Sequence, residues 1–207
     1  MQQMDSLGFN DNLHWMNLTH PNNNPQNLHN SAFQVRCNCH RELSNYLFSY
    51  VNAVKLLYHP IACESVPVNT VAAPVIFLMR HSMELGYKYT LRELHKLDCS
   101  TYDHKKYKTH KLSNLHNYLK PLALRVFETQ APSLIDDFNS DWKNTELGMQ
   151  QFEALDAESF IFRYPFDNEG REFFAWDTGN INLKELKDVY DKAMLLLEHL
   201  IDVINPL

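Results

Sequence analysis

Glycine is scarce, with five in 207 residues. That scarcity argues against an all-β fold, whose tight turns draw on glycine. It also removes the glycine-rich loops that cradle phosphate in many nucleotide-binding proteins. Neither G-x-x-x-x-G-K-[ST] nor G-x-G-x-x-G occurs, and no serine-nucleophile signature is present. Cysteine is sparse as well: Cys37, Cys39, Cys63 and Cys99 are too few and too irregular for a disulfide framework, which fits a reduced, cytoplasmic setting. No run of eighteen apolar residues exists, so no membrane span is expected. The opening "MQQMDSLGFNDNLHW" lacks a basic segment followed by an apolar one, so no secretory signal is expected. An excess of positive charge is missing too. The formal net charge of −6 offers no global attraction to nucleic acid, although a local basic patch can still form.

What is present is a 44% share of hydrophobic residues, enough for one domain with a sizeable core. Residues 1–31 are rich in Asn and His and hold two prolines within "NLHWMNLTHPNNNPQNLHN", so an N-terminal arm is expected there. From residue 32 the pattern turns helical. Leu43, Tyr46, Leu47, Tyr50, Val54, Leu57 and Tyr58 share one face of a helix over about 42–58, ended by His59-Pro60. A second helix is expected over about 71–94, capped by Asn69 or Thr70 and tolerating Pro74 in its first turn. A third begins at His110 behind Thr109, with Leu112, Leu115, Leu119 and Leu122 inward and a kink or break at Pro121. A fourth covers about 145–157. The stretch "FIFRYPFDNEGREFFAW" reads as a short aromatic hairpin or ordered loop around Asp167-Asn168-Glu169-Gly170. Asn182 and Glu185 resemble a capping box that opens a last helix to about Ile204. The sum is an all-α, antiparallel bundle of four to five helices with one aromatic insertion.

The second helix poses the functional question. Within "FLMRHSMELGYKYTLREL", Arg80, Glu84 and Lys88 recur at intervals of four, which stacks them on one helical face. Such a stripe can be a solvated face, a ladder of ion pairs, or a polar site inside a bundle. Exposed pairs of this kind contribute only about 0.3–0.5 kcal/mol each. His81 stands on the shoulder of the stripe, where Glu84 could orient an imidazole. Arg, His, Glu and Lys together can hold a phosphate and a mobile proton.

Three segments, in order, carry a family resemblance. "RHSMELGYKYTLREL" resembles the second helix of HEPN (higher eukaryote and prokaryote nucleotide-binding) domains. "KTHKLSNLHNYL" resembles the Thr-His-hydrophobic opening of their third helix. "FRYP" is similar to the Arg-Tyr-Pro of the short HEPN partners of minimal nucleotidyltransferases. A closing helix such as "LKDVYDKAMLLLEHLIDVI" also fits, and the resemblance spans about residues 42–204, within a bundle taken as 32–207. It implies a homodimer with a polar cleft, binding of RNA or a nucleotide, a small nucleotidyltransferase as partner, and a toxin–antitoxin or phage-defence setting. By position it implies Glu84, Lys88, His110 and Arg163 as site residues, with Arg80 and His81 in a longer "RHxxELxxK" variant.

One departure matters. Ribonuclease members carry Arg, four to six residues, then His. Here Arg36 precedes His40 with three residues between them and Arg92 precedes His95 with two, so neither fits. Metal-independent RNA cleavage needs a base for the 2′-hydroxyl and a cation for the phosphorane. This chain would assemble them from separate helices, with Arg80, His81 and His110 as the catalytic candidates and Glu84, Lys88, Arg163 and Tyr164 as nucleotide or phosphate ligands.

Other features weigh less. "CNCH" (Cys37, Cys39, His40) lacks the second ligand pair of a zinc site, so no metal or other cofactor is expected. Asp136-Asp137 and Glu153-Asp156-Glu158 read as solvated helix faces. Lys105, Lys106, Lys108, Lys111 and Lys120, with His104, His110 and His116, read as a basic but solvated loop and helix start. Phe160, Phe162, Tyr164, Phe166, Phe173, Phe174 and Trp176 read as a small satellite core, with base stacking as the alternative. Binding protein, ribonuclease and purely structural interaction module all remain open on the sequence.

Overall fold

A computed structural model describes residues 42–167, 169–172 and 180–204. Their regular elements are helices: α1 (Leu43–Ala62), α2 (Val68–Leu97), α3 (Leu112–Gln130), a 3₁₀ turn (Pro132–Leu134), α4 (Ile135–Leu155) and α5 (Leu183–Ile204). They form an all-α, antiparallel-style bundle in which α2 packs on α1, α3 and α5, while α4 packs on α3 and α5. The expected arm over 1–31, the Cys37–Cys39–His40 group, and Phe173, Phe174 and Trp176 lie outside the described residues. Among the described residues no helix is long and apolar enough to cross a membrane.

Pro60, expected to end α1, and Pro121, expected to kink or split α3, both lie inside their helices, as does Pro74, expected to be tolerated near the start of α2. Pro60 lies in the last turn of α1. There Ser65 closes the end by donating its backbone N–H and its hydroxyl to the Pro60 carbonyl, each at 2.9 Å. Pro74 and Pro121 sit on exposed sides of α2 and α3, so each removes one hydrogen bond where water can take the freed carbonyl. α2 starts one turn earlier than expected, behind Pro67 and without a side-chain cap. α4 starts ten residues before its expected position. Its inward face is Phe138, Trp142, Thr145, Gly148 and Phe152 among otherwise polar residues, a stripe too thin to stand out in the sequence. Asn182 caps α5 as expected: its Oδ1 accepts from the N–H groups of Lys184 and Glu185, and its amide donates to Glu185 Oε1 at 2.7 Å.

Small residues set how closely α5 approaches. A Cβ at Gly148 would stand 2.6 Å from Ala193 Cβ, and one at Gly86 would stand 3.1 Å from Leu197 Cβ. Beside these contacts Thr90 Oγ1 donates to the Leu197 carbonyl at 3.0 Å, and the Tyr190 hydroxyl and Ser82 Oγ lie 2.8 Å apart. Hydrogen-bonded polar groups of this kind avoid the cost of burying them unpaired.

His116, expected on a basic surface patch, is instead a core residue at 4% exposure. Its Nδ1 lies 3.0 Å from the Tyr87 hydroxyl and its ring centroid 4.2 Å from that of Trp142. Burial, aided by the charge of Lys120, pushes its pKa down to about 4. The folded pKa is below the unfolded one, so protons favour the unfolded chain. Stability from this group is fully present above about pH 6.5 and declines as the pH falls toward 4, by about 1.4 kcal/mol per pH unit. A His116→Phe variant is expected to lack that part of the slope when urea midpoints are compared from pH 7 to pH 4. An unchanged slope would place the effect elsewhere.

Candidate functional site

The stripe on α2 runs from the interior to the surface. Arg80 is fully buried, Glu84 is 2% exposed, and the Lys88 side chain is 19% exposed. Its three members accordingly do different things.

Arg80 holds main chain. Its Nε donates to the Asp156 carbonyl at 2.6 Å, and its Nη2 donates to the carbonyls of His110 at 2.7 Å and Ala157 at 3.1 Å. Its Nη1 faces Glu84 Oε2 at 3.5 Å. One planar guanidinium therefore ties α2 to the segment before α3 and to the chain leaving α4, in the fork geometry that distinguishes arginine from lysine. Burial lowers the Arg80 pKa, while the charges of Asp156, Glu84 and Glu153 oppose that fall; the group stays a cation.

Glu84 is the centre of the cluster. Its Oε1 accepts from Lys88 Nζ at 2.7 Å and lies 3.0 Å from His110 Nδ1, which is 3.2 Å from Oε2. Burial alone would raise its carboxyl, but the Lys88 hydrogen bond and the charges of Lys88, His110 and His81 outweigh that and leave it below the ordinary carboxylate range. A buried carboxylate with an imidazole and an ammonium arranged around it is thus ionised and fixed in place.

His110 precedes α3 by two residues, not at its first turn as expected. Its side chain is 65% exposed, with Nδ1 on Glu84. The ring is therefore oriented at one nitrogen while the other edge reaches solvent. The start of α3 is held by α4: Ser113 donates its backbone N–H and its hydroxyl to the two oxygens of Glu153, at 2.5 and 2.6 Å. So Glu153 is a cap and Asp156, 1% exposed, is interior; of the carboxylates expected on solvated faces, Asp136, Asp137 and Glu158 are exposed, and Glu158 pairs with Lys111 at 3.0 Å.

His81 packs edge-on against Tyr50, with centroids 4.5 Å apart, and stacks on Phe77 at 5.6 Å and 10°. Burial lowers its pKa; Glu84 opposes this and Lys88, Arg80 and Arg163 reinforce it. Phe77, on which His81 stacks, also lies 5.6 Å from the Arg163 guanidinium carbon, which puts Arg163 on the same side of the molecule as His81.

Arg163 sits on a turn after α4. Phe160 N–H donates to Asp156 Oδ1 at 2.9 Å, and the Phe160 carbonyl accepts from Arg163 and Tyr164 N–H at 3.0 and 3.1 Å. Arg163 Nε donates to the Ser159 carbonyl at 2.5 Å. Its guanidinium carbon lies 4.9 Å from the Phe160 ring centre and 5.6 Å from those of Phe77 and Tyr164, within cation–π range. Among the described rings of the expected satellite core, Phe160 is 47%, Tyr164 54% and Phe166 50% exposed, while Phe162 packs against the main core. The expected hairpin is a single bridge, Phe166 with Glu172, around a turn where Gly170 has φ +79°.

The structure thus brings Arg80, Glu84, Lys88 and His110 into one contact network, with His81 and Arg163 at its edge and Tyr164 beside Arg163. The partners that sequence reasoning missed are Glu153, Asp156 and three main-chain carbonyls. Carbonyls leave no mark in residue types, and the two carboxylates looked like ordinary polar residues. Among the described residues no three His, Cys, Asp or Glu side chains converge as metal ligands. Comparisons of the chain with family models, with curated proteins and with solved structures find no match in any of the three.

Proposed function

We propose that this protein binds a phosphate of a nucleotide or of RNA on the face formed by Lys88, His110 and Arg163. One observation carries the reading: the cluster keeps its central carboxylate inside and turns its nitrogen donors outward. Glu84 is 2% exposed, whereas the His110 side chain is 65% exposed and Arg163 lies at the surface. A buried carboxylate orients His110 and Lys88 without presenting negative charge to an incoming anion. In this reading Lys88 and Arg163 hold the phosphate, Glu84 orients His110, and Arg80 is a positioning residue that fixes the two segments carrying His110 and Arg163. His81, packed against the rings of Tyr50 and Phe77, lines the edge.

The test is anisotropy of a 5′-labelled single-stranded RNA between 50 and 200 mM salt. Arg163→Ala is expected to weaken binding and to reduce the slope of log K against log salt by about 0.7, the value for one phosphate contact on a single strand. A folded wild-type protein that binds neither this RNA nor inorganic pyrophosphate would overturn the proposal.

A second reading, metal-independent cleavage of RNA, is favoured by the Glu84–His110 contact. A carboxylate on Nδ1 leaves Nε2 as the nitrogen able to take the 2′-hydroxyl proton. The 2′-oxygen then attacks phosphorus, Lys88 offsets the phosphorane charge, and the 5′-oxygen leaves with a proton from solvent, giving a 2′,3′-cyclic phosphate. A homodimer, a small nucleotidyltransferase partner and a toxin–antitoxin or phage-defence setting extend the proposal through the HEPN resemblance alone.

A further inference from the structure

The turn after α4 leaves large rings in water in a way its own geometry does not require. Phe162 reaches the core from the same turn, while Phe160 and Tyr164 stay 47% and 54% exposed on either side of it. Two exposed rings flanking one guanidinium, unlike a scattered single ring, call for an explanation. The turn is also held firmly. Arg80 grips the Asp156 and Ala157 carbonyls, Asp156 Oδ1 accepts the Phe160 N–H, and the Phe160 carbonyl closes the turn onto Arg163 and Tyr164. The rings are therefore presented by backbone fixed to the bundle.

Their neighbours form a ladder of flat groups. His81 stacks on Phe77, the Arg163 guanidinium lies over Phe77, and the same guanidinium lies over Phe160 and Tyr164. Arg163 Nε is engaged by the Ser159 carbonyl, which fixes the plane of the group. We propose that Phe160 and Tyr164 are a stacking platform for an unpaired base whose phosphate is held by Arg163 and Lys88. The ligand is then single-stranded RNA or a free nucleotide, not a duplex. This inference rests on the phosphate-binding reading above. A base presents a π-face to such a platform only when it is unstacked from its own helix, whereas a duplex would offer phosphates alone.

The test measures Tyr164→Ala, Tyr164→Phe and Arg163→Ala against three probes: a labelled single-stranded RNA, the same strand in a duplex, and inorganic pyrophosphate. Tyr164→Ala is expected to weaken single-stranded binding by about tenfold to a hundredfold and to leave pyrophosphate binding unchanged. Tyr164→Phe keeps the ring and is expected to restore the wild-type value, and the duplex is expected to bind more weakly than the single strand. Equal affinity for single strand and duplex, or a Tyr164→Ala variant that binds RNA normally while Arg163→Ala does not, would refute the platform and leave the phosphate site standing. Failure of every probe with folded wild-type protein would refute both.

Discussion

Replacing Arg80 with methionine is expected to remove about 3–5 kcal/mol of folding stability, the cost of breaking a buried charge network by deleting one partner. Methionine keeps most of the volume but none of the donors. It would strand the carbonyls of His110, Asp156 and Ala157 and remove the buried cation that faces the charges of Asp156 and Glu84. Each unpaired buried group carries its own desolvation cost. If the stripe were an exposed ladder, the same substitution would cost about 0.3–0.5 kcal/mol per pair, so the two outcomes are separated by nearly tenfold. Arg80→Lys tests the geometry rather than the charge. An ammonium cannot span three carbonyls from two chain segments, so it is expected to recover less than half of the loss. Urea midpoints at pH 7 decide the matter, and a loss below about 1 kcal/mol for the methionine variant would rule out the staple. With typical domain stabilities of about 5–15 kcal/mol, the expected loss is a large fraction of the whole.

That expectation also explains why the stripe could be seen in the sequence but not interpreted there. Spacing puts Arg80, Glu84 and Lys88 on one face, and this is how they lie. What differs is depth: 0%, 2% and 19% exposure along two turns of one helix. Depth depends on how α3 and α4 pack around α2, and the first half of α4 was poorly marked. α4 buries Phe138 and Trp142 among Asp, Asn and Ser, so its first three turns look like loop. α3 has no side-chain cap of its own and uses Glu153 from α4. Where an element carried its own signals the reading held. Asn182 and Glu185 opened α5, and continuous apolar periodicity located α2 to within a turn at each end. At Pro60 and Pro121 the helices run on, because a proline removes one hydrogen bond without dictating that the chain leave the helix, and at Pro121 the freed carbonyl is on the exposed side. In the aromatic insertion, residue type did not separate inward from outward rings: among those described, Phe162 packs on the core while Phe160, Tyr164 and Phe166 face out.

If the face built on Glu84 also cleaves RNA, His110→Ala is expected to lower cleavage by about 10²–10⁴-fold, the range for loss of a general base, with chelator present throughout. The side chain is 65% exposed and its main-chain carbonyl, which Arg80 holds, is kept in the variant, so folding is expected to survive. Glu84→Gln retains the shape and one accepting oxygen but removes the charge that steadies an imidazolium. It is expected to reduce cleavage by a smaller factor than His110→Ala. The double variant separates orientation from mere stability. Because Glu84 acts through His110, the pair is expected to be no slower than His110→Ala alone, the non-additivity of residues working as a unit. Independent structural damage would instead multiply the two losses. Wild-type protein that binds RNA yet leaves it intact would confine the Glu84–His110 contact to holding a phosphate donor in place, with Lys88 and Arg163 doing the binding.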